Sequence, residues 1–168
     1  MKKLIPYLSP LIISGCYSLE PLKTPPQDEL NTILNSLNGK YKSIDSRENK
    51  WSKYSTIDIT LSSKSGRAII AGEDGRKTKI QLRKCKIANH AQANNMGTPF
   101  ESIEELITCD IESQYQYARI YIGKVKNNFT ISDKKLIKTF DPMTISGGYL
   151  INIKLSPGGD VFLNSIKE

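Results

Sequence analysis

Histidine occurs once in this chain, at His90, and the three cysteines stand far apart at Cys16, Cys85 and Cys109. One histidine excludes a His-Glu-x-x-His helix, and no Cys-x-x-Cys pair is present to suggest a zinc or redox motif. A Gly-x-Ser-x-Gly elbow and a glycine-rich phosphate loop are missing too, so no common hydrolase or nucleotide-binding signature is available. Long apolar runs are absent as well. Leu4 to Ile13 is the most apolar stretch, and it falls far short of the roughly 20 residues that a membrane-spanning helix needs. Basic residues are missing between Ile87 and Tyr115, where five acidic ones stand instead: Glu101, Glu104, Glu105, Asp110 and Glu112.

What is present begins with the first sixteen residues. Lys2 and Lys3 form a positive start, Leu4 to Ile13 a short apolar segment, and Ser14-Gly15 a small-residue site that a peptidase can grip. This is the layout of a removable signal peptide. The stretch Ile13-Ser14-Gly15-Cys16 resembles the lipobox of bacterial lipoproteins. The resemblance implies that Cys16 is acylated and that the chain is cut just before it, leaving the protein held to a membrane by several acyl chains. It also places the protein at the cell envelope. Tyr17 stands where an aspartate would signal inner-membrane retention, which favours the outer membrane in a cell that has one. An ordinary secretory signal with an incidental cysteine is the competing reading.

Three regions are therefore expected: a signal over residues 1–15, a lipidated cysteine and tether over 16–23, and one β-rich domain over 24–168. After removal of the signal, 22 basic and 17 acidic residues give a net charge of +5. Lys40 to Lys86 holds thirteen Lys or Arg against five Asp or Glu. Such a face attracts anionic partners, namely lipid head groups, anionic glycans or an envelope complex, with nucleic acid ranked behind them. The plain alternative is a solvated surface that keeps the domain soluble. Outside the cytoplasm, with Cys16 set aside for lipid, Cys85 and Cys109 read as a disulfide.

Residues 24–39 read as the clearest helix. Thr24 is placed to cap it, Pro25 to occupy its first position and Gln27 to complete a capping box, while Leu30, Ile33, Leu34 and Leu37 form one apolar stripe. Asn38-Gly39 is expected to end it as a glycine cap. Period two then takes over: Ile57, Ile59 and Leu61; Arg67 to Ala71; Ile80 and Leu82, with a shift of phase at Cys85 that signals a β-bulge; Ile107, Cys109 and Ile111. Between Ala88 and Glu101 regularity fails, and Thr98-Pro99-Phe100-Glu101 suggests a capped helical turn carrying Ile103 and Leu106. Ala118, Ile120 and Ile122, then Phe129 and Ile131, a segment over 136–140, Tyr149 to Leu155, and Val161 to Ile166 continue the strands.

The expected fold is therefore mainly β: an antiparallel up-and-down barrel or sandwich of about eight strands, with one N-terminal helix and a short helical turn, α+β being the alternative. Leu37-Asn38-Gly39-Lys40-Tyr41 faintly resembles the Gly-x-Trp opening of lipocalins, with Tyr41 in place of tryptophan. That resemblance implies a barrel with a ligand cavity.

Function is expected to be non-catalytic binding or assembly, without metal or cofactor. Arg67, Arg76, Lys77, Lys79, Arg83 and Lys84 are the candidate anionic-partner face, and Tyr115, Tyr117, Arg119 and Tyr121 a candidate aromatic stripe. A lipocalin-like carrier of a small apolar ligand is the first alternative. A hydrolase using His90 as general base is the last; Glu104 and Glu105, being adjacent, point apart and make a poor carboxylate pair.

Overall fold

Two-residue alternation puts one side of each segment indoors, and in the computed structural model of the chain these segments close on themselves. The structure describes residues 26–48, 54–94, 97–113, 117–131, 142–156 and 159–168. The expected signal, Cys16, the tether, Tyr115 and the strand expected over 136–140 lie outside the described residues.

A helix, α1 (Gln27–Leu37), precedes β1 (Gly39–Glu48), β2 (Tyr54–Leu61), β3 (Ser65–Gly72) and β4 (Lys77–Ile87). A short helix, α2 (His90–Asn94), and a 3-10 turn, Phe100–Ser102, lead into β5 (Ile103–Ile111) and β6 (Tyr117–Val125). Then come β7 (Phe129–Ile131), β8 (Met143–Ile145), β9 (Tyr149–Ser156) and β10 (Gly159–Lys167). Eight strands form a closed antiparallel barrel in the order β1-β10-β9-β6-β5-β4-β3-β2, and β7 and β8 pair separately as a two-stranded ribbon. The mainly β expectation holds, and the barrel is chosen over the sandwich.

The inward rows explain the closure. Tyr41, Ile57, Ile59, Leu61, Ala68, Ile70, Leu82, Ile107, Ile111, Ile120, Ile122, Ile151, Ile153 and Leu163 come from all eight strands and belong to one buried cluster. Apolar inside and charged outside is the reverse of a membrane-spanning barrel. The helix stripe closes one end, with Leu34 and Leu37 essentially inaccessible within the same cluster. There the Tyr41 hydroxyl donates to the Leu37 carbonyl at 2.5 Å, and its ring meets Tyr149 edge-on at 5.1 Å. Ser36 donates to Glu105 at 2.6 Å, and Lys167 donates to the Ser36 carbonyl at 2.6 Å.

The ends of α1 differ from expectation. Pro26, not Thr24 or Pro25, is the N-cap, with no side-chain cap bond, and Gln27 instead donates to Asn31 at 3.4 Å. Thr24 and Pro25 lie outside the described residues. At the other end Asn38 is the C-cap, in an extended conformation with its N–H donating to the Asn35 carbonyl at 3.3 Å, and its amide side chain brackets Leu61, donating to the carbonyl at 3.2 Å and accepting from the N–H at 2.5 Å. Gly39 opens β1 directly at φ 147°, where a Cβ would lie 2.6 Å from Lys167 Cε.

Two attachments cover half of the outer wall. The β7–β8 ribbon lies over β9 and β10, enclosing Phe129, Ile131, Met143, Ile145, Leu150 and Phe162 in a second core. Residues 88–94 and 97–102 lie over β5 and β6, enclosing Ala88, Ala93, Leu106 and Tyr121, with Phe100 and Ile103 packed alongside. Ile103 and Leu106 belong to β5, not to a helical turn, and Pro99 caps the 3-10 turn without a side-chain bond. Thr98, expected to cap, is buried with its hydroxyl unpartnered. The interval read as irregular contains α2. It is started by a reciprocal box in which Asn89 and Gln92 exchange side-chain to backbone bonds of 3.0 Å. The Cys85–Cys109 disulfide joins β4 to β5 and closes this excursion at both ends.

Candidate anion-binding face

Among the described residues the outer faces of β1 to β4 carry no such cover. Along β3 and β4 the register pairs Ser65 with Arg83, Arg67 with Gln81, Ile69 with Lys79 and Ala71 with Lys77. Residues spaced by two share a face, so Lys77, Lys79, Gln81 and Arg83 point outward in a row beside Arg67. The hairpin turn that aligns them uses Gly75 at φ 79° and a Gly72 N–H to Arg76 carbonyl bond of 2.9 Å. The bulge expected near Cys85 is present: register shifts between Arg83 and Lys86, and Lys84 takes φ 51°. The shift turns Cys85 inward while Lys84 and Lys86 stay exposed.

All six residues of the candidate face, Arg67, Arg76, Lys77, Lys79, Arg83 and Lys84, are exposed on this hairpin. Their pairing is unequal. Arg76 is held by Asp74 at 2.7 Å and Arg83 by Glu112 at 2.5 Å. Among the described residues Arg67, Lys77, Lys79, Lys84 and Lys86 have no carboxylate within 4 Å. On β6, β9 and β1 four cations are matched: Arg119 with Asp110 at 3.2 Å, Lys124 with Glu104 at 3.0 Å, Lys154 with Asp160 at 3.7 Å and Lys40 with Glu168 at 2.7 Å, while Lys42, Lys64 and Lys126 have no such partner among the described residues. Hydrogen bonding by Glu168 raises the Lys40 ammonium above its usual range and lowers the Glu168 carboxyl below its own. Hydrogen bonding by Glu104 likewise raises the Lys124 ammonium. The barrel thus neutralises much of its wall and leaves the β3–β4 strip positive.

No family model, curated protein or solved structure matches this chain. The site therefore rests on its own chemistry.

Beside the β2–β3 turn a groove of about 260 Å³ is lined by Thr60, Leu61, Ser62, Ser65, Gly66, Arg67 and Gln81. Sequence reading missed it because it forms only when three strands align. The register sets Thr60 opposite Arg67, and Arg67 opposite Gln81.

The other candidates fall elsewhere. Arg119 is half-exposed and engaged by Asp110, while Tyr121 is only 5% exposed beneath the cover over β5 and β6. An exposed stripe through Tyr121 is thereby corrected: alternation puts it outward, but the excursion buries it. For Tyr117 the described feature is its place at the start of β6. His90 begins α2, exposed, with its ring stacked on Phe100 at 3.4 Å between centroids. Glu104 and Glu105 do diverge, one to Lys124 and the other to Ser36. Among the described residues no group of three or more His, Cys, Asp or Glu side chains is placed to hold a metal.

Proposed function

We propose that the protein is a lipid-anchored binding or assembly module of the cell envelope, tethered through Cys16 and non-catalytic, whose β3–β4 face receives an anionic partner. The observation that carries this reading is the concentration on one hairpin of five exposed cations, Arg67, Lys77, Lys79, Lys84 and Lys86, that have no carboxylate partner among the described residues. Unpaired surface cations offer long-range attraction and a fast encounter, and the attraction is screened by salt.

The test is retention on immobilised dextran sulfate as a polyanion probe. With about four contacts formed, affinity falls on the order of a hundredfold between about 50 and 200 mM salt. Replacing Lys77, Lys79 and Arg83 together with glutamate abolishes retention. Salt-insensitive retention, or none by the parent chain, refutes the reading. Fatty-acid labelling lost in Cys16→Ser tests the anchor separately.

A carrier of a small apolar ligand is the second reading, favoured by the eight-stranded barrel itself. It is weakened by the interior, where twenty buried residues from all eight strands and α1 belong to one packed cluster. Ligand entry would have to displace them.

A further inference from the structure

The positive strip contains one place where charge is joined by aimed neutral donors. Thr60, Arg67 and Gln81 stand opposite one another on β2, β3 and β4, so their side chains leave the wall about 5 Å apart. Ser65 lies two residues from Arg67 on the same face of β3 and adds a hydroxyl to the groove that these residues line. Within the described residues, none of these four side chains has a hydrogen-bond or ion-pair partner. Ser62, on the same rim, is by contrast spent on the turn: its hydroxyl donates to the Ser65 carbonyl at 2.7 Å and accepts from the Ser65 N–H at 3.2 Å. Gly66 keeps the floor tight, since a Cβ there would lie 2.8 Å from the Thr60 carbonyl oxygen.

We propose that this groove is a phosphoryl-binding site, with Arg67 as its fork and Thr60, Ser65 and Gln81 as additional donors. The inference rests on the anionic-partner reading of the β3–β4 face and names the chemical group which that face takes. Guanidinium geometry suits both carboxylate and phosphate through two parallel N–H bonds. A carboxylate has two oxygens, which Arg67 alone satisfies. A phosphoryl group has further oxygens, and two hydroxyls and an amide on the same groove are the donors those oxygens need. The volume lies below the 300–1,000 Å³ usual for drug-sized ligands, so the groove suits one head group and not an extended molecule. Lys79, two residues from Gln81 along β4, extends the field toward a larger anion that carries the group.

The experiment follows backbone amides of the full-length chain carrying Cys16→Ser while inorganic phosphate is titrated at constant ionic strength, with acetate in a parallel titration. Phosphate produces saturable shifts at residues 60–62, 65–67 and 81, with a dissociation constant on the order of millimolar, and acetate binds at least threefold more weakly. Arg67→Lys keeps the charge, loses the fork and weakens phosphate at least tenfold; Thr60→Val with Gln81→Leu weakens it at least threefold. Unsaturable shifts, shifts spread evenly along Lys77, Lys79, Lys84 and Lys86, equal binding of acetate, or full affinity in Arg67→Lys overturns the site. Retention on dextran sulfate in those same cases leaves the charged face standing, so the two failures are distinguishable. Vesicles containing phosphatidylglycerol then separate the sources. Vesicle binding lost in Arg67→Lys identifies a lipid head group, and vesicle binding by neither form, with phosphate binding intact, identifies a soluble or polymeric phosphoryl group; both uphold the site.

Discussion

Asn164 is the buried polar side chain on which the β7–β8 ribbon depends, and replacing it with alanine tests how that ribbon is held. Its Oδ1 accepts from the Ser146 N–H at 3.0 Å and the Gly147 N–H at 2.8 Å, while its Nδ2 donates to the Thr144 carbonyl at 3.0 Å and to the Ser146 hydroxyl at 3.3 Å. The side chain is 3% exposed, so these four bonds use the full capacity of the amide away from water. At about 1 kcal/mol net per bond the loss would reach about 4 kcal/mol. Ser146 is exposed and Gly147 half-exposed, so water can re-bond some of the released groups. The expected cost is then about 2–3 kcal/mol, or a fall in Tm of roughly 6–10 °C for a domain of this size. Asn164→Asp keeps shape and the accepting oxygen but loses both Nδ2 donors and sets an anion against the Thr144 carbonyl, so it is expected to cost at least as much. Urea unfolding of both variants measures the loss, and hydrogen exchange at Ile145 to Gly147 locates it. A cost below about 0.5 kcal/mol for alanine, or an aspartate variant as stable as the parent, refutes the reasoning.

Reduction of the Cys85–Cys109 bridge, or its replacement by paired alanines, frees a loop of 24 residues' separation and is expected to cost about 3.5 kcal/mol by the chain-entropy model, read as a shift in urea midpoint with and without reductant. Burial raises the Asp160 carboxyl above its ordinary value of 3.8, more than Lys154 lowers it. The folded state therefore holds its proton longer than the unfolded state, and this group's contribution to stability falls as pH rises from that value through the folded pKa. Asp160→Asn should accordingly gain stability relative to the parent as pH rises above the ordinary aspartate value of 3.8; a difference that does not change with pH contradicts the assignment. Tyr41, buried and bonded to Leu37, has its phenol pushed far above the tyrosine range, first by desolvation and then by Tyr149 and Glu105. Absorbance titration should show one tyrosine that ionises only as the protein unfolds in alkali, and Tyr41→Phe should remove that late step at a stability cost of about 1 kcal/mol.

Local chemistry made much of this fold legible. The alternations at Ile57, Ile59 and Leu61, at Ile107, Cys109 and Ile111, and at Tyr149, Ile151 and Ile153 became inward rows because a half-buried strand has no other stable use for period two. The phase shift at Cys85 became the bulge at Lys84, and the two cysteines met because β4 and β5 are neighbours. The Asn89 and Gln92 box was equally readable and passed unnoticed, since no apolar periodicity followed it. β8 has three residues, too few to announce a strand. The burial of Tyr121 and Leu106 was beyond local reach, because period two separates the faces of a strand and does not say which outer face another segment will cover. For the same reason the charged residues were visible singly, while the groove at Thr60, Arg67 and Gln81 appeared only with the register of three strands.

The seam between β1 and β10 sets the timing of biosynthesis. These strands pair from Tyr41 with Lys167 to Glu48 with Val161, so the first and the last strands of the barrel share one ladder. Until β10 has been synthesised, β1 lacks one partner and the open sheet ends in a bare edge at β9. The barrel therefore cannot complete itself vectorially, strand after strand, behind an emerging chain. An incomplete nascent polypeptide stays unclosed, and closure waits for the last strand to reach the first.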